Sequence, residues 1–208
     1  ELLPGGVDPS RVEFDVDVGG VLLALGTEQA PVTFRANEGG GAGLWYGITS
    51  RTDAGELNLQ NVTITDAVTA LTLQSFSNYA AVHNVAFAGN TTDIEIDEYA
   101  ALHVAGTLTA SRIVGNLELY GGATFIPGSR TTTLTGNLSL DTGSALQAAL
   151  RSTFCSYRLQ VTGEVLLRGD LQLDLTDLSL YPRGWVYLVD NDGTDAVVGS
   201  FAGRPEGA

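Results

Sequence analysis

Leu71-Thr72-Leu73, Ile94-Glu95-Ile96, Leu117-Glu118-Leu119 and Leu138-Ser139-Leu140 are four apolar–polar–apolar triplets whose first residues lie 23, 23 and 21 positions apart. Alternation with a period of two marks a half-buried strand, because successive side chains of an extended chain point to opposite faces. Working outward, a second column keeps nearly the same beat: Val62/Ile64 returns as Val85/Phe87 and then as Leu108, again at intervals of 23. A third follows the triplets by six residues, with Leu102 after Ile96, Phe125 after Leu119 and Leu146 after Leu140. Three apolar columns per turn of ~22 residues predict an all-β parallel β-helix, a solenoid in which each coil lays three short strands around one core. The next coil then stacks on it at ~4.8 Å through backbone hydrogen bonds. Leu71, Ile94, Leu117 and Leu138 are expected in one inward stack, and Phe125 and Leu146 in another.

Gly55, Gly106, Gly115-Asn116, Gly121-Gly122 and Gly136-Asn137 fall between the apolar pairs. Gly and Asn tolerate positive φ, so they are suited to the corners. A β-sandwich also consists of many short strands, but it does not require a fixed beat held through three columns. No sustained i, i+3, i+4 pattern is present.

Composition narrows the chemistry. The chain has 208 residues, with 24 Asp plus Glu against 10 Lys plus Arg, a formal charge of −14. An acidic chain does not suit a nucleic-acid backbone or an anionic membrane, both of which call for a basic face. All ten cations are Arg, so Lys-dependent chemistry such as a Schiff base is excluded. The apolar run Val21 to Leu25 stops at Gly26. That is well short of the ~18 residues of a spanning helix, so no direct membrane insertion is expected. Cys155 is the only cysteine, which rules out an internal disulfide and Cys-rich metal sites. Its setting, Thr153-Phe154-Cys155-Ser156-Tyr157, reads as strand packing. The chain begins at Glu1 and contains no Met, so it is expected to be a piece of a longer protein.

Several clusters invite a functional reading. Tyr79-Ala80-Ala81-Val82-His83 returns as Tyr99-Ala100-Ala101-Leu102-His103. The two histidines, the only ones in the chain, are expected as outward neighbours on adjacent coils. A third metal ligand is not evident, so a side-chain ladder is the expectation. Asp93, Glu95 and Asp97 alternate with Ile94 and Ile96, which predicts an outer carboxylate row ending at Glu98. Paired carboxylates can hydrolyse glycosides; solvated side by side on a flat face, these are expected not to. Neither Arg112 nor Arg130 is tied by spacing to such a cluster. Thr63-Ile64-Thr65, Thr107-Leu108-Thr109 and Thr133-Leu134-Thr135 resemble ice-ordering rows, but a shift of 23 from Thr63 and Thr65 lands on Ala86 and Ala88. Asp190-Asn191-Asp192-Gly193-Thr194-Asp195 is the densest run of oxygen ligands. Asp190, Asp192 and Asp195 are therefore the Ca²⁺ candidates; Gly193 comes too early for an EF-hand loop, and a tight polar turn explains the run as well. No catalytic residue and no other cofactor is assigned.

Val18-Gly19-Gly20-Val21-Leu22-Leu23-Ala24-Leu25-Gly26-Thr27-Glu28-Gln29-Ala30-Pro31-Val32-Thr33-Phe34, followed by Gly43-Leu44-Trp45-Tyr46-Gly47-Ile48, resembles the opening coils of bacterial cell-surface right-handed parallel β-helix proteins. The tail from Leu188 to Ala208 is similar to the segment that ends the β-helix in autotransporter-like and other large secreted repeat proteins. The resemblance implies a right-handed helix in an exported structural or adhesive element, extracellular or on the bacterial cell surface. It carries over no catalytic residue. Expected partners are cell-surface or extracellular-matrix components, glycans among them, and uncapped ends would permit end-to-end self-association. A polysaccharide lyase or hydrolase and a filament or surface-layer subunit are the alternatives. The coils are expected over 1–144, with a C-terminal β capping region over 145–208.

Overall fold

The computed structural model describes residues 11–37, 40–74, 80–150, 158–175, 187–192 and 195–204. Among them there is no helix. The chain makes repeated circuits of short strands. The first circuit is β1 (Glu13–Val16), β2 (Val21–Leu25) and β3 (Val32–Phe34). Three circuits follow in which one long strand replaces the last two: β4 (Gly47–Ser50) with β5 (Glu56–Thr65), β6 (Thr69–Leu73) with β7 (Ala80–Ala88), and β8 (Thr92–Ile96) with β9 (Leu102–Ala110). The strands then separate into three again. These are β10 (Arg112–Val114), β11 (Leu117–Leu119) and β12 (Thr124–Pro127), followed by β13 (Thr131–Thr135), β14 (Leu138–Leu140) and β15 (Ala145–Ala149). The last are β16 (Arg158–Val161), β17 (Val165–Leu167) and β18 (Asp170–Asp174), then β19 (Val189–Asn191) and β20 (Val197–Gly199).

Each circuit pairs in parallel with the next. One eight-stranded sheet runs β1-β4-β6-β8-β10-β13-β16-β19, and a second runs β2-β5-β7-β9-β12-β15-β18, extended to eight by β3 beside β5. β11-β14-β17-β20 form a third, four-stranded sheet. The only antiparallel contact among the described residues is the isolated bridge between Val18 and Ala54. Pairing passes residue 144 in register, since Thr124 and Phe125 lie opposite Ala145 and Leu146.

The long strands have two inward faces because each bends at a left-handed residue. In β5, Leu57 and Leu59 are buried, then Val62 and Ile64; the alternation changes phase at Asn61, whose φ is 48°. Asn84 in β7 (φ 55°) and Gly106 in β9 (φ 63°) occupy the equivalent corner. Without these residues the second half of each strand would turn its apolar side chains to solvent. The three corners are tied together. Asn61 donates its amide to the Gly26 carbonyl (3.0 Å), Asn84 donates to Asn61 Oδ1 (3.3 Å), and Asn84 Oδ1 accepts the Thr107 N–H (3.0 Å). The corner before β11 and β14 repeats the device: Asn137 N–H donates to Asn116 Oδ1, and Glu164 N–H to Asn137 Oδ1.

The inward columns follow the sequence reading in part. Ile48, Leu71, Ile94, Ile113 and Leu134 succeed one another on the first sheet. Val32, Val62, Val85, Leu108, Phe125 and Leu146 do so on the second, so Phe125 and Leu146 stack as expected. The expected single stack of Leu71, Ile94, Leu117 and Leu138 is not formed. Leu71 lies opposite Ile94, but Ile94 is followed by Ile113, and Leu117 pairs with Leu138 in the four-stranded sheet. The circuit contracts here, from the 23 residues between Val85 and Leu108 to the 17 between Leu108 and Phe125. Leu117 keeps the beat in sequence while sitting one side further around. Leu102 likewise belongs with Ala80 and Leu57 and not with Phe125.

All columns feed one core. Ile48, Leu71, Ile94, Ile113, Leu108, Phe125 and Leu140 are fully buried within a single cluster running from Val16 to Leu167. Each such side chain contributes roughly 1.5–3 kcal/mol by leaving water.

Candidate functional site

Asp93 was expected on an outer carboxylate row with Glu95 and Asp97, and the structure corrects this. It is buried, at 2% exposure. The reason is the corner: residues 110–112 turn back across it. Asp93 accepts the N–H groups of Ser111 and Arg112 on one oxygen and the Asn90 amide on the other (2.9 Å). A carboxylate taken out of water requires such donors, and these groups hold the turn from β9 into β10. Asn90 also donates to the Ile64 carbonyl and accepts the Ala67 N–H, which extends the polar corner by a further circuit. Glu95 remains outward, between Thr72 and Val114 on the neighbouring strands, and Asp97 and Glu98 are exposed in the following turn.

The histidines sit on paired strands but not opposite each other. His83 faces Ala105, and His103 faces Ala81. The sequence repeat of 20 residues is two short of the offset between β7 and β9, so the rings lie diagonally on one outer face, both exposed. His83 lies against Gly106, where a Cβ would come within 2.8 Å of the imidazole ring. The Thr rows behave as the arithmetic predicts, with Thr63 and Thr65 opposite Ala86 and Ala88.

Of the Ca²⁺ candidates, Asp190 is engaged elsewhere. It pairs with the Arg158 guanidinium at 3.3 Å and accepts a long 3.4 Å hydrogen bond from Gln160. Asp192 donates its N–H to the Val161 carbonyl, and the Asp195 carbonyl accepts the Asn191 amide at 2.6 Å. Gly193 and Thr194, like Cys155 and Tyr79, lie outside the described residues. Among the described residues no group of three or more His, Cys, Asp or Glu side chains is arranged to hold a metal ion.

Three of the concavities on the outer surface of the described residues bear on function. The first, of about 400 Å³, is aromatic: Phe14 meets Phe34 edge-on at 5.5 Å and Trp45 at 6.2 Å, and the Trp45 indole N–H donates to the Thr65 carbonyl. A shallow polar groove of about 580 Å³ crosses the first sheet, where Arg112, Thr133, Gln160 and Asp190 form a row. Arg112 there donates to the Thr91 carbonyl at 2.8 Å. The smallest, about 200 Å³, lies between β9 and β11 and draws titratable side chains from three segments: Asp97 and Glu98, His103, and Glu118 with Tyr120. The Tyr120 hydroxyl donates to the Glu118 carboxylate. That bond favours the neutral phenol and, with some desolvation, raises the Tyr120 pKa above its ordinary value. Sequence reading missed this cleft because its residues converge only where the circuit contracts.

No family model, curated protein or solved structure matches the chain.

Proposed function

We propose that the chain is a right-handed parallel β-helix acting as a non-enzymatic structural or adhesive module of a larger exported protein, outside the cell or on a bacterial surface. The observation that carries this reading is the unbroken apolar core, on which one circuit after another stacks in parallel register. Such an arrangement makes a stiff spacer whose length is set by the number of circuits and whose outer face is free for contact. The placement of polar groups supports the same reading. Asn61, Asn84, Asn90, Asp93 and Asn137 each hold a corner by hydrogen bonding to the neighbouring circuit or turn. Surface or matrix glycans are the partners this acidic, hydroxyl-rich exterior suits.

The polysaccharide-cleaving alternative draws on one observation, the cleft that joins Glu118, Tyr120 and His103. Reducing-end and unsaturated-product assays on polygalacturonate and alginate, with and without Ca²⁺, separate the two readings. The structural reading expects no turnover. Activity abolished by Glu118→Gln or Glu95→Gln would replace it with the enzyme.

A further inference from the structure

Between most successive circuits the backbone ladder closes on every side. Among the described residues, two adjacent strands of successive circuits lack a ladder at one place. β8 pairs with β10 and β9 pairs with β12, yet no ladder joins the first half of β9 to β11, although the two strands are adjacent. β11 pairs only on its far side. Leu117 donates its N–H to the Asn137 carbonyl (2.9 Å), and the Leu119 carbonyl accepts the Asp141 N–H (3.0 Å). In a parallel ladder alternate residues bond to opposite neighbours. The N–H and C=O of Glu118 are therefore directed at β9, across the 200 Å³ cleft.

The packing beneath the cleft is also looser. Leu102 is 9% exposed and Ile96 5%, whereas Ile94, Leu108 and Leu119 are at 0%. Val104 is only half-buried in a column in which the preceding members, Leu59 and Val82, are fully enclosed. The opposite side of the same junction is clamped by Asp93, which holds the N–H groups of Ser111 and Arg112, and by Arg112 on the Thr91 carbonyl.

We propose that this junction is a built-in seam. It divides the stack into a block β1–β9 and a block β10–β20, hinged at the Asp93 corner, and the molecule opens along the β9–β11 side before either block unfolds. In a linear stack the stability is a sum over circuits and their interfaces, so the interface with the fewest backbone bonds and the loosest core yields first. A spacer built this way extends at one defined point when loaded and keeps both blocks folded.

Native-state hydrogen exchange on the whole chain tests the seam. Asp97 N–H, bonded to the Leu73 carbonyl, reports the first block; Arg168 N–H, bonded to the Leu140 carbonyl, reports the second. Gly128 N–H, bonded to the Ala110 carbonyl, reports the junction. Leu57→Ala should speed exchange at Asp97 on the order of 100-fold and leave Arg168 within ~2-fold. Leu138→Ala should do the reverse, and Gly128 should exchange at least as fast as the faster block in every variant. Where Leu57→Ala does not fold, Ile64→Val applies the same test with a change of roughly 3- to 10-fold. Equal acceleration at Asp97 and Arg168, or a Gly128 slower than both, would show one cooperative unit and overturn the seam.

Discussion

Replacing Asn84 separates the two roles that a corner residue plays. Its backbone is left-handed at φ 55°, and its side chain bridges circuits, donating to Asn61 Oδ1 and accepting from the Thr107 N–H and hydroxyl. Asn84→Ala removes the amide and places a Cβ-bearing residue without Asn's local hydrogen bonding in a conformation that costs roughly 1–2 kcal/mol. It also leaves the part-buried Thr107 N–H without its acceptor, for about 1–3 kcal/mol. The expected loss is therefore ~2–5 kcal/mol. Asn84→Gly suffers the lost bonds but not the strain and should be less harmful by ~1 kcal/mol, after allowing for glycine's extra freedom in the unfolded chain. Asn84→Asp keeps the acceptor for Thr107 and loses only the donor to Asn61, so it should cost about 1 kcal/mol. Urea unfolding followed by far-ultraviolet circular dichroism ranks the three. An Ala variant no less stable than the Gly variant, or an Asp variant as damaged as Ala, would refute the corner argument.

Asp66 accepts the Gly41 N–H at 3.0 Å and the Thr65 hydroxyl at 2.9 Å, and the Gly41 bond is the main reason its carboxyl is held below the ordinary carboxylate value. A depressed folded pKa means that this stabilisation is fully present above the unfolded value of ~3.9 and is lost as pH falls through the folded one. The stability difference between the wild type and Asp66→Asn should thus be constant above about pH 5 and shrink below about pH 4 in acid-titrated urea melts. Tyr120 should ionise above its usual ~10 in alkaline ultraviolet titration, read as the difference from Tyr120→Phe, and Glu118→Gln should bring it back down. An unchanged titration in Glu118→Gln would remove the proposed bond. Asp93→Ala should cost roughly 2–4 kcal/mol in urea melts, because it strands the Ser111 and Arg112 N–H groups at the corner; an exposed carboxylate would cost far less.

The alternating triplets and the Gly-Asn pairs made the parallel stacking legible, and the 23-residue offset from Asn61 to Asn84 is the same beat seen in the corners. What sequence arithmetic could not see was the phase of the beat. The interval from Ile94 to Leu117 is 23 residues, as is that from Leu71 to Ile94, yet Leu117 has moved to the next side because the intervening circuit is short. A period records distance along the chain, not position around the core. The two missed placements have local causes of the same kind. Asp93 alternates with Ile94 and so reads as outward, but the turn at 110–112 covers it. His103 falls two positions from facing His83 because the sequence repeat is 20 residues long whereas β7 and β9 pair there at an offset of 22. The cleft at Glu118 had no linear signature, since Glu98, His103 and Tyr120 meet only where a ladder is missing.

Methyl-resolved nuclear Overhauser spectroscopy on Ile- and Leu-labelled protein reads the register of the stack. Six isoleucines in the chain make the assignment tractable. The expected result is a run of contacts from Ile48 through Leu71, Ile94 and Ile113 to Leu134, with Leu117 joined separately to Leu138. Backbone contacts between successive strands should carry the parallel pattern throughout. Antiparallel cross-strand contacts among these segments, or a ladder that passes from Ile94 to Leu117 in place of Ile113, would contradict it.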